Sequence, residues 1–141
     1  MLKLVLDTDV LFAAFRSSTG ASRRLLIDIL DGRAALLLST TLLVEYEAVL
    51  TRKQNLEQFG LSAGDVISVL DELAGICLPV VFDYRWRPRT ADPDDDLVLE
   101  TAINGMADVI ASFNLKDFGT SADPFGIAVE RPIDLLRRLA P

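Results

Sequence analysis

Apolar residues fall into short, mostly apolar runs that alternate with stretches where they recur every three or four positions. The runs Leu2–Leu6, Ala34–Leu38, Ile76–Phe82, Ala107–Ala111 and Ile127–Val129 read as strands. Helical spacing covers Val10–Arg16, Ala21–Asp31, Thr40–Arg52, Ser62–Leu73, Asp92–Asn104 and Ile133–Leu139. Gly32 is a stop signal, Ser39 or Thr40 a cap, and Ser62 a second cap. Strands separated by helices predict a parallel sheet covered on both faces. The expected class is α/β, a three-layer α/β/α sandwich around a mostly parallel sheet of about five strands. No repeat, low-complexity stretch or linker interrupts the chain, so one domain over residues 1–141 is expected. Ligands of such sheets bind outside the carboxyl ends of the strands.

Composition narrows the chemistry. The 141 residues are half hydrophobic, enough for one sizeable core, and contain no histidine. Ser-His-Asp and Cys-His nucleophile systems are therefore excluded, as are His-ligated zinc and haem. A single cysteine, Cys77, rules out an intramolecular disulfide and reads as a buried small hydrophobe. No apolar run approaches membrane-spanning length, and Met1–Asp7 is too short and too soon acidic for a signal peptide. A cytoplasmic, soluble protein is expected. With 21 acidic and 14 basic residues the net charge is −7, which argues against a broad electrostatic grip on nucleic acid. It leaves room for a local basic groove over an acidic, metal-filled pocket.

Acids stand where a ligand would bind. The first strand ends in Asp7-Thr8-Asp9. One of the two acids reads as the cap of the following helix, but both would crowd one turn with like charge. Glu45 and Glu47 follow the second strand; a solvated glutamate is the default, and Glu45 gains weight only if other acids converge on it. The densest signal is Asp92-Pro93-Asp94-Asp95-Asp96. Asp92 suits an N-cap, Pro93 the first helical position, and first-turn acids the helix dipole. Four acids in five positions still repel one another, and a bound divalent cation would supply the counter-charge. Helical spacing puts Asp95 on the face of Val98, Leu99 and Ala102, pointing inward, with Asp94 toward water and Asp96 between. Past the fourth strand come Ser112, Asn114 and Asp117, in a turn that Phe113 and Phe118 would anchor in the core. Carboxylates without imidazole make a hard oxygen site suited to Mg²⁺ or Mn²⁺, able to activate water for displacement at phosphorus.

These residues resemble a PIN domain over nearly the whole chain. Leu4–Leu11 resembles the family's opening strand motif, and Glu45 followed by Val49-Leu50 its helix glutamate. Asp92–Glu100 and Gly105–Phe118 are similar to its paired third and fourth acidic motifs. The resemblance points to toxin components of toxin–antitoxin systems, similar to VapC-type toxins, and implies a metal-dependent ribonuclease. Asp7, Glu45, Asp95 and Asp117 would then form the Mg²⁺ or Mn²⁺ pocket, with Ser112 and Asn114 in support and Asp92 and Asp96 as alternates to Asp95. The family usually has Asn at the position of Asp9, where a fifth acid would shift the metal or keep the same turn-forming job. Ser112 stands where Thr is common.

RNA would be the substrate. Tyr84-Arg85-Trp86-Arg87-Pro88-Arg89 is the only basic cluster with interleaved aromatics. Arg85, Arg87 and Arg89 could hold phosphate and Trp86 stack a base; the ordinary reading is a solvated loop balancing nearby acids. Arg23-Arg24 and Arg52-Lys53 read as helix surface. The resemblance also implies an antitoxin partner and a homodimer, with exposed apolar residues of Ala21–Leu30 and Ser62–Leu73 as the interface to look for. Two other readings compete. In a haloacid-dehalogenase-like phosphatase Asp7 would be the nucleophile and Asp9 the acid. The other is a non-catalytic PIN-like or receiver-like binding module; for a receiver, Asp83 at the end of the third strand could serve as the phosphoacceptor.

Overall fold

The structure, a computed structural model, describes residues 1–83 and 93–140, with the side chains of residues 93–95, 117 and 119–121 outside that description. Five strands form one sheet: β1 (Lys3–Leu6), β2 (Ala35–Leu38), β3 (Leu78–Pro79), β4 (Val109–Ala111) and β5 (Ala128–Glu130). Their order is β3-β2-β1-β4-β5, and every neighbouring pair is parallel. Central β1 pairs Leu4 with both Leu36 and Val109. Leu4, Val5 and Leu6 are all buried, so both faces of β1 are covered by helices, as the unbroken apolar run requires. The expected α/β/α sandwich is the observed one.

Among the described residues, eight α-helices connect and flank the strands: α1 (Thr8–Arg16), α2 (Ala21–Leu30), α3 (Thr40–Leu50), α4 (Lys53–Phe59), α5 (Ala63–Ile76), α6 (Pro93–Asn104), α7 (Leu115–Ala122) and α8 (Pro132–Leu139). Caps set several starts. The Ser39 hydroxyl accepts from Leu42 N at the head of α3, and Ser62 and Asp65 close a capping box at α5. Tyr46, Phe118 and a set of leucines fill the core.

The structure departs from the sequence reading at four places. The third strand is only Leu78–Pro79, because α5 continues to Ile76 and β3 is an edge strand paired to β2 alone. Cys77 is accordingly half-buried rather than sunk in the core, its thiol directed to Ala74 O at 3.3 Å. Helix α4 buries none of its residues fully and offers only two apolar residues, Leu56 and Phe59, too few to betray it by periodicity. Tertiary packing holds it instead: the Phe59 ring meets Phe12 edge-on at 5.1 Å and Phe15 at 5.6 Å. Finally, the turn expected after Asn114 is helix α7, whose Phe118 is fully buried, whereas Phe113 is 49% exposed. Phe113 lies past the end of β4, outside the covered part of the sheet.

Candidate active site

The end of β1 places the first acid. Asp7 is the N-cap of α1, which starts at Thr8, two residues before the expected Val10. Its carboxylate accepts from Thr8 N at 2.8 Å and from the Ser112 hydroxyl at 2.7 Å. Its backbone N–H donates to Ala111 O at 2.9 Å, which fixes the acid at the junction of β1 and β4. Ser112 is fully buried, and its oxygen also accepts from Asn114 N at 2.8 Å. The two supporting residues expected from the sequence thus meet at one hydroxyl, and one of them grips Asp7 directly.

Asp7 is only 6% exposed. Burial, then the adjacent charge of Asp9, push its carboxyl from 3.8 up to about 7; the bonds from Ser112 and Thr8 oppose that rise. Asp9 is fixed in turn by Phe113 N, which donates to its Oδ2 at 3.2 Å. The fifth acid therefore faces the first rather than merely turning the chain.

A cleft of about 340 Å³ opens here, lined by Asp7, Thr8, Asp9, Phe12, Glu45, Val49, Arg52 and Asn114. Glu45 is half-buried on its wall and Glu47 is exposed, so the glutamate weighed against the surface default is the one that faces the acids. The residue after Glu45 explains its placement. Tyr46 is fully buried, and its phenol donates to the carbonyl of Leu6, the residue before Asp7. Burial and the charge of Asp7 hold that phenol well above its ordinary pKa, so it stays protonated and donating. Sequence reasoning passed over Tyr46, Phe12 and Arg52. A buried tyrosine needs a partner for its hydroxyl, which was the available signal for the first; Arg52, read as helix surface, faces the cleft only because α4 folds back.

The remaining expected residues divide. Asp95 lies in α6 and Asp117 in α7, with their side chains outside the described residues. Asp92, Arg85, Trp86, Arg87 and Arg89 lie outside the described residues altogether. Asp96 is half-buried in α6 and does not line this cleft. Among the described residues, no three of His, Cys, Asp or Glu gather closely enough to hold an ion by themselves. The donor set nonetheless fits a hard cation. Every candidate ligand is a carboxylate oxygen, and Asp7 and Asp9 press like charge together in a desolvated corner where a divalent ion would relieve it.

The model for the PIN domain matches residues 3–116. This chain belongs to the PIN domain family. PIN domains are as a family nucleases that typically use divalent metal ions, and many act as toxins. Among curated proteins, none matches the chain. The strand order of this PIN domain also sets the receiver-like reading aside. A receiver has β3 beside β1 at the sheet centre, whereas here β3 is a two-residue edge and Asp83 follows it away from Asp7. Among the described residues, no helix is long and apolar enough to cross a membrane.

Proposed function

We propose that this PIN domain is a Mg²⁺- or Mn²⁺-dependent ribonuclease that cuts RNA internally and serves in the cytoplasm as the toxin of a toxin–antitoxin pair. The observation that carries the reading is the buried Asp7 carboxyl, clamped by Ser112 and facing Asp9, on the same cleft as Glu45. Asp7, Glu45, Asp95 and Asp117 are the proposed ligands, with Asp9, Ser112 and Asn114 in support and Asp92 and Asp96 as alternates to Asp95. When bound, the ion would supply Lewis-acid activation of water and of the phosphoryl oxygen. The chain's own part is orientation. Ser112 and Thr8 N hold both Asp7 oxygens, and Tyr46 ties the Glu45 helix to the Asp7 strand. With no histidine, a proton from the attacking water must pass to a carboxylate or leave with solvent.

The toxin role implies an antitoxin peptide covering the cleft, and the family habit implies a homodimer. The Arg85, Trp86, Arg87 and Arg89 segment is a further proposed RNA contact. The test is cleavage of a mixed RNA pool by the parent, Asp7→Asn and Asp95→Asn, each with Mn²⁺ or EDTA. The parent should cut only with Mn²⁺, and both variants should fold but not cut. Full activity in Asp7→Asn would overturn the assignment, and turnover of an aryl phosphate through a phosphorylated Asp7 would favour a phosphatase instead.

A further inference from the structure

We infer that Arg52 binds a backbone phosphate of single-stranded RNA beside the bond being cut, on the α4 side of the cleft. The inference rests on the ribonuclease reading and names a substrate contact within it. Three observations carry it.

First, among the described residues, Arg52 is the one cation lining the Asp7–Glu45 cleft. A strand approaching a chain of net charge −7, and a pocket of carboxylates within it, meets repulsion unless a local positive charge offsets it.

Second, the guanidinium is available. Arg52 is exposed, and among the described residues it forms no ion pair, even with the acids that share its cleft. Arg33, Arg137 and Arg138, away from the cleft, are each paired with a carboxylate. A planar fork of five N–H donors matches two phosphate oxygens at once, which a lysine at this place would not.

Third, the backbone carrying it is fixed. Asn55 Nδ2 donates to Val49 O at 2.7 Å, bridging the turn between α3 and α4. The carbonyl of Arg52 accepts from Asn55 N at 2.9 Å and Leu56 N at 3.0 Å. Phe59 then packs α4 onto Phe12 and Phe15 of α1. Phe12, which lines the same cleft, also carries the Arg16 guanidinium over its ring, 5.4 Å from the centroid.

The test compares the parent, Arg52→Ala and Arg52→Lys in Mn²⁺-supported RNA cleavage over a range of salt, with anisotropy of a short fluorescent single-stranded RNA in EDTA as a second readout. Arg52→Ala should raise KM roughly tenfold with a smaller effect on kcat. It should also flatten the dependence of log affinity on log salt by about 0.7. Arg52→Lys should restore the salt slope, since the charge returns, and only part of KM, since the fork does not. A melting temperature unchanged in Arg52→Ala would confirm that an exposed side chain, not the fold, was removed. An active parent whose Arg52→Ala variant keeps both KM and salt slope overturns the contact and leaves the ribonuclease reading standing. A parent that neither cuts nor binds RNA overturns both.

Discussion

The Tyr46 phenol donates to the carbonyl of Leu6, joining α3 to the last residue of β1. The residues next to each partner, Glu45 and Asp7, line one cleft. A single buried hydrogen bond thus bridges the elements that carry two acids 38 positions apart in sequence.

Tyr46→Phe keeps the ring and removes the donor. Loss of a buried hydrogen bond should cost about 1–2 kcal/mol, read as a lower urea midpoint. Mn²⁺ affinity should fall as well, because Glu45 is no longer tied to Asp7. Leu50→Val, a core truncation on the same helix that leaves the phenol bond intact, is the control. If it weakens Mn²⁺ binding as much as Tyr46→Phe does, the positioning role is wrong.

Asp7 makes the stability of the metal-free protein depend on pH. Its folded pKa, about 7, lies above the ordinary 3.8 because of burial and then the charge of Asp9. The folded chain therefore holds this proton more tightly than the unfolded one. The resulting stabilisation is complete below 3.8 and is lost as pH rises through about 7. Within that window the slope is at most about 1.4 kcal/mol per pH unit. Urea unfolding in EDTA, parent against Asp7→Asn, isolates this group. The variant should gain on the parent as pH rises, and a constant difference from pH 4 to 8 would contradict the assignment.

With Asp7 as a proposed ligand, ion binding needs its carboxyl deprotonated. The rise in melting temperature on adding Mn²⁺ should therefore be larger at pH 8 than at pH 5.5. Ser112→Ala removes a hydrogen bond that lowers the Asp7 pKa, and it leaves one oxygen without that donor. It should weaken Mn²⁺ binding by roughly tenfold or more, as loss of an orienting partner does at metal sites. Calorimetric titration of both proteins decides this, and equal affinities would refute it.

The end of α6 stores strain in an exposed residue. Met106 adopts φ 55°, while Met106 N bonds Ile103 O and Ala107 N bonds Ala102 O, the pattern of a left-handed helix cap. Glycine would suit that position, but the chain spends its glycine one residue earlier. A Cβ at Gly105 would lie 2.9 Å from Val80 Cγ2 and 3.0 Å from both Leu37 Cδ1 and Thr101 O. Met106→Gly should stabilise by about 1 kcal/mol, and Gly105→Ala should destabilise by about 1–3 kcal/mol. Thermal unfolding of the two variants checks both signs.

The apolar runs determined the sheet. The mostly apolar segments alternating with helical spacing call for a sheet between helical layers, so the α/β/α class and the acid at the end of β1 were legible in the residues themselves. So were the caps, which depend on side chains within a few positions of the backbone they bond. The short helix α4 was not legible, because its seven residues hold only two apolar side chains and it is held by Phe59 against rings of another helix. Nor was the depth of Asp7, which comes from Ser112, 105 residues away, and from the covering of β1. The choice of Glu45 over Glu47, the clamp of Tyr46 on Leu6 and the arrival of Arg52 at the cleft follow the same rule. Periodicity and capping are local and can be read along the chain, whereas which polar side chains share a desolvated corner depends on contacts between distant segments, and only the packed structure decides those.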